Sequence, residues 1–215
     1  MTQVKICGLK RTDDALVAAD AGAAMLGFVF APSRRRVEPE QAAAIIAAVR
    51  QTATVRTVGI FVNESPEEMN RLAELCDLDY LQLSGDEPPD VVSALSRPAI
   101  KVVHVGSAET AASLTERASR ATAEMLLLDT ARAGSFGGTG ESFDWQAIPA
   151  LDRRVLLAGG LHAGNIAGAI RAVRPWGVDV SSGVETDGAK DQAKIREFVL
   201  RALRVECGES RCREQ

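Results

Sequence analysis

Cys7 ends the alternating run Val4-Lys5-Ile6-Cys7 and is followed at once by Gly8, so a thiol stands where an extended segment stops and the backbone turns away. The tips of parallel strands are where α/β folds display their chemistry. A thiol held there as thiolate is a base or a nucleophile; the plainer reading is a small buried hydrophobe. A second candidate is Asp129, which follows Leu126-Leu127-Leu128. A carboxylate at the end of an apolar wall must find partners, face an open mouth, or keep its proton at a raised pKa. The last case makes Asp129 a general acid, whereas a purely structural aspartate would cap its own loop.

Two further clusters suit an anionic substrate. Gly159-Gly160 and Ser181-Ser182-Gly183 end two late apolar segments, where bare backbone N–H groups and hydroxyls can cradle a phosphate. His162 lies just beyond the first of these tips and reads as a loop histidine. Arg34-Arg35-Arg36 follows another tip and offers a guanidinium fork for a substrate carboxylate, although three adjacent cations are usually a solvated run. Residues 131–140 carry glycine at 134, 137, 138 and 140, too many for a helix or strand, and suit a loop that closes over the site. No Cys/His cluster has zinc spacing, so no metal site is expected.

The elements that must position these groups follow from periodicity. Short apolar strands are expected at 4–7, 25–30, 58–62, 80–83, 100–105, 125–128, 155–158 and 178–180. Between them run helical patterns: Met69, Leu72, Ala73 and Cys76 share a face, as do Ile195, Phe198, Val199, Ala202 and Leu203. Cys76 therefore reads as core. Ser65-Pro66-Glu67-Glu68 is a capping box, and Thr12-Asp13-Asp14 places a cap and two carboxylates at a helix start. Continuous apolar strands alternating with helices call for a parallel sheet covered by helices. Eight such units in 215 residues suit a single-domain (β/α)8 TIM barrel over residues 1–205, followed by a polar tail at 206–215. The competing open doubly wound sheet would want a Gly-x-Gly-x-x-Gly after the first strand, which is missing.

Composition narrows the partners. A net charge of −4 and 4% aromatic residues argue against nucleic acid, which needs a basic field and stacking rings. The apolar runs are of strand length, far below the roughly 20 residues of a membrane span, and no signal-peptide pattern opens the chain. A cytoplasmic protein with reduced thiols is expected, with no membrane partner.

These features form one pattern. Val4-Lys5-Ile6-Cys7-Gly8-Leu9, Gly27-Phe28-Val29-Phe30 with Ser33-Arg34-Arg35, Asp129-Thr130, Gly137-Gly138-Thr139-Gly140 with Phe143-Asp144-Trp145, Ala158-Gly159-Gly160-Leu161 and Asp179-Val180-Ser181-Ser182-Gly183-Val184-Glu185 together resemble the motifs of phosphoribosylanthranilate isomerase, in the family's order, across about residues 3–204. The resemblance implies an Amadori rearrangement of N-(5-phosphoribosyl)anthranilate in tryptophan biosynthesis, with no cofactor or metal. It implies Asp129 as general acid, Cys7 as general base, and Arg35 on the anthranilate carboxylate, with Arg36 as a possible substitute. Gly159, Gly160, Ser181, Ser182 and Gly183 would hold the phosphate. The partner is then a small phosphorylated sugar and the assembly a monomer or homodimer. A thiol base should be kept as thiolate, by Lys5 or by helix N-termini. One position departs from the pattern: the fourth strand ends Gln82-Leu83-Ser84-Gly85, where the family usually has histidine in place of Ser84. The rival readings are the histidine-pathway sugar isomerase, which has a carboxylate where Cys7 stands, and a phosphate-binding barrel without turnover, which has no need of both Cys7 and Asp129.

Overall fold

Successive side chains of a strand point to opposite faces, so a strand that is apolar throughout must be covered on both sides. The computed structural model meets that demand by closing the sheet on itself. It describes residues 1–106, 109–130, 145 and 148–210, the last five as backbone. Strands β1 (Gln3–Cys7), β2 (Met25–Val29), β3 (Arg56–Phe61), β4 (Tyr80–Leu83), β5 (Ala99–Val105), β6 (Met125–Thr130), β7 (Arg154–Leu157) and β8 (Gly177–Val180) pair in chain order, and β1 pairs again with β8. The expected eight-stranded parallel barrel is what forms.

One side-chain set fills the interior, including Met25, Val58, Ile60, Ile100, Val102, Met125, Leu127 and Leu156. The other faces the helices, with Ile6, Leu26, Phe28, Leu81, Leu83 and Val178 in the outer core. β6 runs two residues beyond the expected end, because His104 and Val105 of β5 pair with Asp129 and Thr130. That pairing brings Asp129 into the last inward-facing layer.

The outer ring comprises α1 (Thr12–Asp20), α2 (Pro39–Arg50), α3 (Pro66–Leu75), α4 (Ala111–Arg120), α5 (Ile166–Val173) and α6 (Gln192–Ser210). At the start of α3, Ser65 accepts from the Glu68 N–H as expected, but Glu68 turns its carboxylate to Arg71, so only half of the capping box forms. Thr12 is the first helical residue of α1 and caps nothing; Arg11 holds the capping position without a side-chain bond. After β4 the chain makes only a 3₁₀ helix, Pro89–Ala94, opened by proline at its first position. Cys76 is buried and its thiol donates to the Pro39 carbonyl, as a core residue should. The last helix passes the expected boundary at 205 and ends at Ser210, since extending an anchored helix fixes one residue per added bond. No helix among the described residues is long and apolar enough to cross a membrane.

Phe198, fully buried on α6, joins that helix to the outer core. Phe198→Ala should lower the unfolding free energy by about 3–5 kcal/mol in urea titrations, whereas Leu200→Ala, on the same helix but 46% exposed, should change it by less than about 1 kcal/mol.

Candidate active site

Alternation along β1 turns Lys5 and Cys7 into the barrel. Lys5 is completely buried, and its Nζ donates to Asp179 Oδ1 at 2.8 Å across the β1–β8 seam, where the two residues are register partners. Burial by itself would lower the Lys5 pKa, but the charge of Asp179 and the nearby thiol outweigh it and raise it. Lys5 is therefore a fixed cation beneath the site. One layer higher, Cys7 sits beside Gly27 of β2, where an added Cβ would stand 3.2 Å from Sγ. Burial pushes the Cys7 thiol up, with Asp179 adding to the rise and Lys5 and Lys190 opposing it. The sequence led one to expect a site that favours thiolate, by Lys5 or by helix N-termini; in the free protein desolvation outweighs the two cations, part of whose field Asp179 cancels.

Asp129 faces the same interior from β6. Burial, then the charge of Asp179, pushes its pKa up to about 6, against the Thr130 N–H, His104 and Lys5. The raised-pKa reading of this aspartate thus holds, although Oδ1 also accepts from the following N–H at 2.8 Å, the local contact expected of a structural aspartate. Ser84, where the resemblance led one to look for histidine, is buried, and its hydroxyl accepts from Gln82 Nε2 at 3.1 Å. His104 comes from the adjacent strand instead, with Nε2 3.2 Å from the Ser84 carbonyl. Sequence reasoning passed over His104, Gln82 and Asp179. The signal was present in the inward alternation of Ile100, Val102 and His104, but it acquires meaning only once β5 is paired with β6.

The tips of β7 and β8 form a cleft lined by Asp129, Gly159, Gly160, Leu161, Asp179, Ser181 and Ser182. Gly159 and Gly160 both have positive φ, 83° and 63°, so the tip adopts a backbone that other residues enter only with strain. A Cβ on Gly183 would lie 1.9 Å from the Leu161 carbonyl oxygen, so the two tips touch only because that side chain is missing. Ser181 lines the cleft, but its hydroxyl donates to the Cys7 carbonyl at 3.1 Å and lies 3.3 Å from Lys190 Nζ. It belongs to the β1–β8 seam more than to an anion cradle. His162 is exposed and its Nδ1 accepts from the Gly164 N–H, the arrangement of an ordinary loop histidine.

The three arginines have different fates. Arg34 and Arg36 are more than half exposed, whereas Arg35 has a side chain only 13% exposed. Arg35 donates through Nε to Glu185 Oε1 at 2.7 Å and through Nη2 to Oε2 at 3.0 Å. Glu185 also receives Arg34 at 2.7 Å and Lys190 at 2.9 Å. Burial tends to raise the Glu185 pKa, but the bonds from Arg35 and Lys190 overcome it and lower it. Lys190, on the short hairpin of β9 (Glu185–Thr186) and β10 (Ala189–Lys190), also donates to the Ser181 carbonyl at 2.8 Å. Neither Glu185 nor Lys190 was singled out as a site residue from sequence. The glycine-rich loop at 131–140 and Phe143-Asp144 lie outside the described residues.

The environment of Asp129 has a consequence for stability. Its folded pKa of about 6 exceeds the ordinary value of about 3.9, so between these pH values the folded chain keeps a proton that the unfolded chain releases. Stability must fall as pH rises through that window and stay lower above it. Asp129→Asn should therefore be more stable than the parent at pH 7.5, by on the order of 2 kcal/mol. Urea titrations across pH should show the difference shrinking below pH 6 and closing near pH 4.

Residues 4–201 match the family model for N-(5'phosphoribosyl)anthranilate (PRA) isomerase. The N-(5'-phosphoribosyl)anthranilate isomerase of Desulforudis audaxviator is 51% identical over 201 residues, covering 93% of this chain and 97% of that protein. The crystal structure of phosphoribosyl anthranilate isomerase from Thermus thermophilus superposes with a TM-score of 0.82 at 40% identity, over 95% of this chain and 100% of that one. A structure of such an isomerase in complex with reduced 1-(o-carboxyphenylamino)-1-deoxyribulose 5-phosphate superposes with a TM-score of 0.79 at 35% identity, over 94% and 99%. With the barrel, the β1 thiol and the β6 acid in place, this likeness along nearly the whole chain establishes that it belongs to the phosphoribosylanthranilate isomerase family.

Proposed function

We propose that this chain converts N-(5-phosphoribosyl)anthranilate into 1-(2-carboxyphenylamino)-1-deoxyribulose 5-phosphate, the Amadori rearrangement of tryptophan biosynthesis. The observation that carries the reading is the pairing of an inward-facing thiol with a carboxyl whose pKa is raised to about 6, in one barrel mouth and within the field of one buried ion pair. Family membership and the relative holding the reduced product support it.

Asp129, in its protonated form, donates to the furanose ring oxygen as the C1–O bond breaks, and the anthranilate nitrogen closes a C=N⁺ bond. Cys7 then takes the proton from C2, whose electrons flow into the iminium to give a neutral enolamine. Loss of the 2-hydroxyl proton and protonation at C1 yield the ketone. Because Asp129 titrates below the raised thiol, the acting form, a protonated Asp129 with a Cys7 thiolate, is a minor protonation state of the free protein. The iminium charge formed in the first step favours the thiolate in the second, adding to the fields of Lys5 and Lys190. Arg35 takes the anthranilate carboxylate. Gly159, Gly160, Ser182 and Gly183 receive the phosphate at the site barrels commonly use, after strands seven and eight, with Ser181 bracing that wall. The protein works in the cytoplasm as a monomer or a homodimer, its catalytic unit being the barrel of residues 1–205.

Cys7→Ala and Asp129→Asn should each lower turnover by roughly 10²-fold or more, the usual worth of one placed proton-transfer group, with folding intact by circular dichroism. The decay of anthranilate fluorescence, with substrate generated in situ, reads this directly, and parent-like rates in either variant would remove that residue from the mechanism. Inorganic phosphate should inhibit competitively. Gly160→Ala should raise KM, both by entering the cleft and by straining a positive-φ position; an unchanged KM places the phosphate elsewhere.

A further inference from the structure

A carboxylate is bound well by guanidinium only when two parallel N–H bonds can form in one plane. The side chain carrying such a fork is long, and unless it is held, its rotamer freedom must be lost on binding. Arg35 is held. Glu185, with a side chain only 5% exposed, takes the Nε/Nη2 edge at 2.7 and 3.0 Å. A guanidinium has two such edges, so the Nη1/Nη2 edge stays in the same plane for a second carboxylate. The stem of Arg35 lies over the tip of β1, where a Cβ on Gly8 would come within 2.6 Å of its Cδ. Glu185 is itself braced by Lys190, whose Nζ reaches Oε1 and the Ser181 carbonyl.

We propose that Glu185 is the positioning residue for recognition of the substrate's ring carboxylate: it fixes the plane and direction of the open Arg35 edge and touches no reacting atom. The inference rests on the reading of Arg35 as carboxylate ligand. It also assigns the β9–β10 hairpin a purpose, since the hairpin supplies both Glu185 and the lysine that braces it. Arg34, 56% exposed, binds the same carboxylate from the solvent side and steadies Glu185.

The test compares two ligands by calorimetry: the reduced product analogue, and its counterpart with a plain phenyl ring in place of the carboxyphenyl. Glu185→Gln keeps one acceptor oxygen but must present an NH₂ to a cation, which breaks the paired bond. It should weaken the carboxylated ligand by roughly tenfold or more, the usual scale for charge-assisted hydrogen bonds, and change the phenyl ligand by less than about twofold. Arg35→Ala should show the same selectivity, and adding Glu185→Gln to it should cost nothing further. Glu185→Asp, one methylene short of spanning the fork, must repeat the selective loss, and it decides the matter if the glutamine variant does not fold. Equal weakening of both ligands, or no weakening of either, overturns the proposal. The parent protein separates the two levels: if it neither turns over phosphoribosylanthranilate nor binds the reduced product, the functional reading fails. If it does both while Glu185 variants show no selectivity, only the positioning role falls.

Discussion

The arrangement of the barrel mouth depends on one buried ion pair, Lys5 with Asp179, joined at 2.8 Å across the seam where the first and last strands meet. Two charges taken out of water are costly, and their mutual attraction repays this only when geometry and additional contacts are good. The pair is therefore weak evidence for stability and stronger evidence for function. Its two charges act on the groups above it in opposite senses: Lys5 favours the thiolate of Cys7 and the carboxylate of Asp129, and Asp179 disfavours both. Net charge beneath the site is thus close to neutral, and burial dominates. Cys7 thus rests as the thiol, while Asp129, with its pKa raised to about 6, keeps its proton only below about that pH.

A second carboxylate organises the rim. Glu185 gathers Arg34, Arg35 and Lys190 immediately beyond the short 3₁₀ turn Ser182–Val184. Lys190 carries the network back to Ser181, whose hydroxyl bonds the Cys7 carbonyl. The tips of β1 and β8 and the Arg35 guanidinium are thereby tied together through the β1–β8 seam. The ends of a substrate about one sugar and one ring long would meet groups set on rigid elements, which is how positioning converts binding into rate.

Such a site conflicts with the stability of the fold that holds it. Asp129 is held in surroundings that disfavour its charge, and Gln82 Oε1 is buried with no hydrogen-bond donor among the described residues. Buried polar atoms of this kind gather at functional sites, where proteins keep groups that a packed core would exclude. Below them the interior is plain, filled by Met25, Val58, Ile100, Met125, Leu127 and Leu156. The lower layers hold the barrel together, and the upper layer holds the candidate catalytic groups.

Much of this was legible in the residues alone. Eight apolar runs separated by helical patterns called for a parallel sheet covered on both faces, and their number with the missing Gly-x-Gly-x-x-Gly favoured a closed barrel over an open doubly wound sheet; Cys7 before Gly8 and Asp129 after three leucines stood out as candidates by their position at strand ends. The glycines at 159, 160 and 183 marked two strand tips; at 159 and 183 only glycine lets the backbone approach Thr130 and the Leu161 carbonyl so closely, and at 160 it allows the positive φ. What could not be read was which charges meet. Lys5 and Asp179 stand 174 residues apart, and Arg35 and Glu185 150 apart; in the chain they are ordinary surface-type residues with no mutual periodicity. The charge balance at Cys7 was hidden for the same reason, because the sequence displays the cation of Lys5 without the anion opposite it or the water removed from both. Local pattern determines elements, since sterics and alternation act over a few residues. Closure of the barrel decides charge states, since desolvation and Coulomb energy depend on distances that exist only after the first strand has met the last.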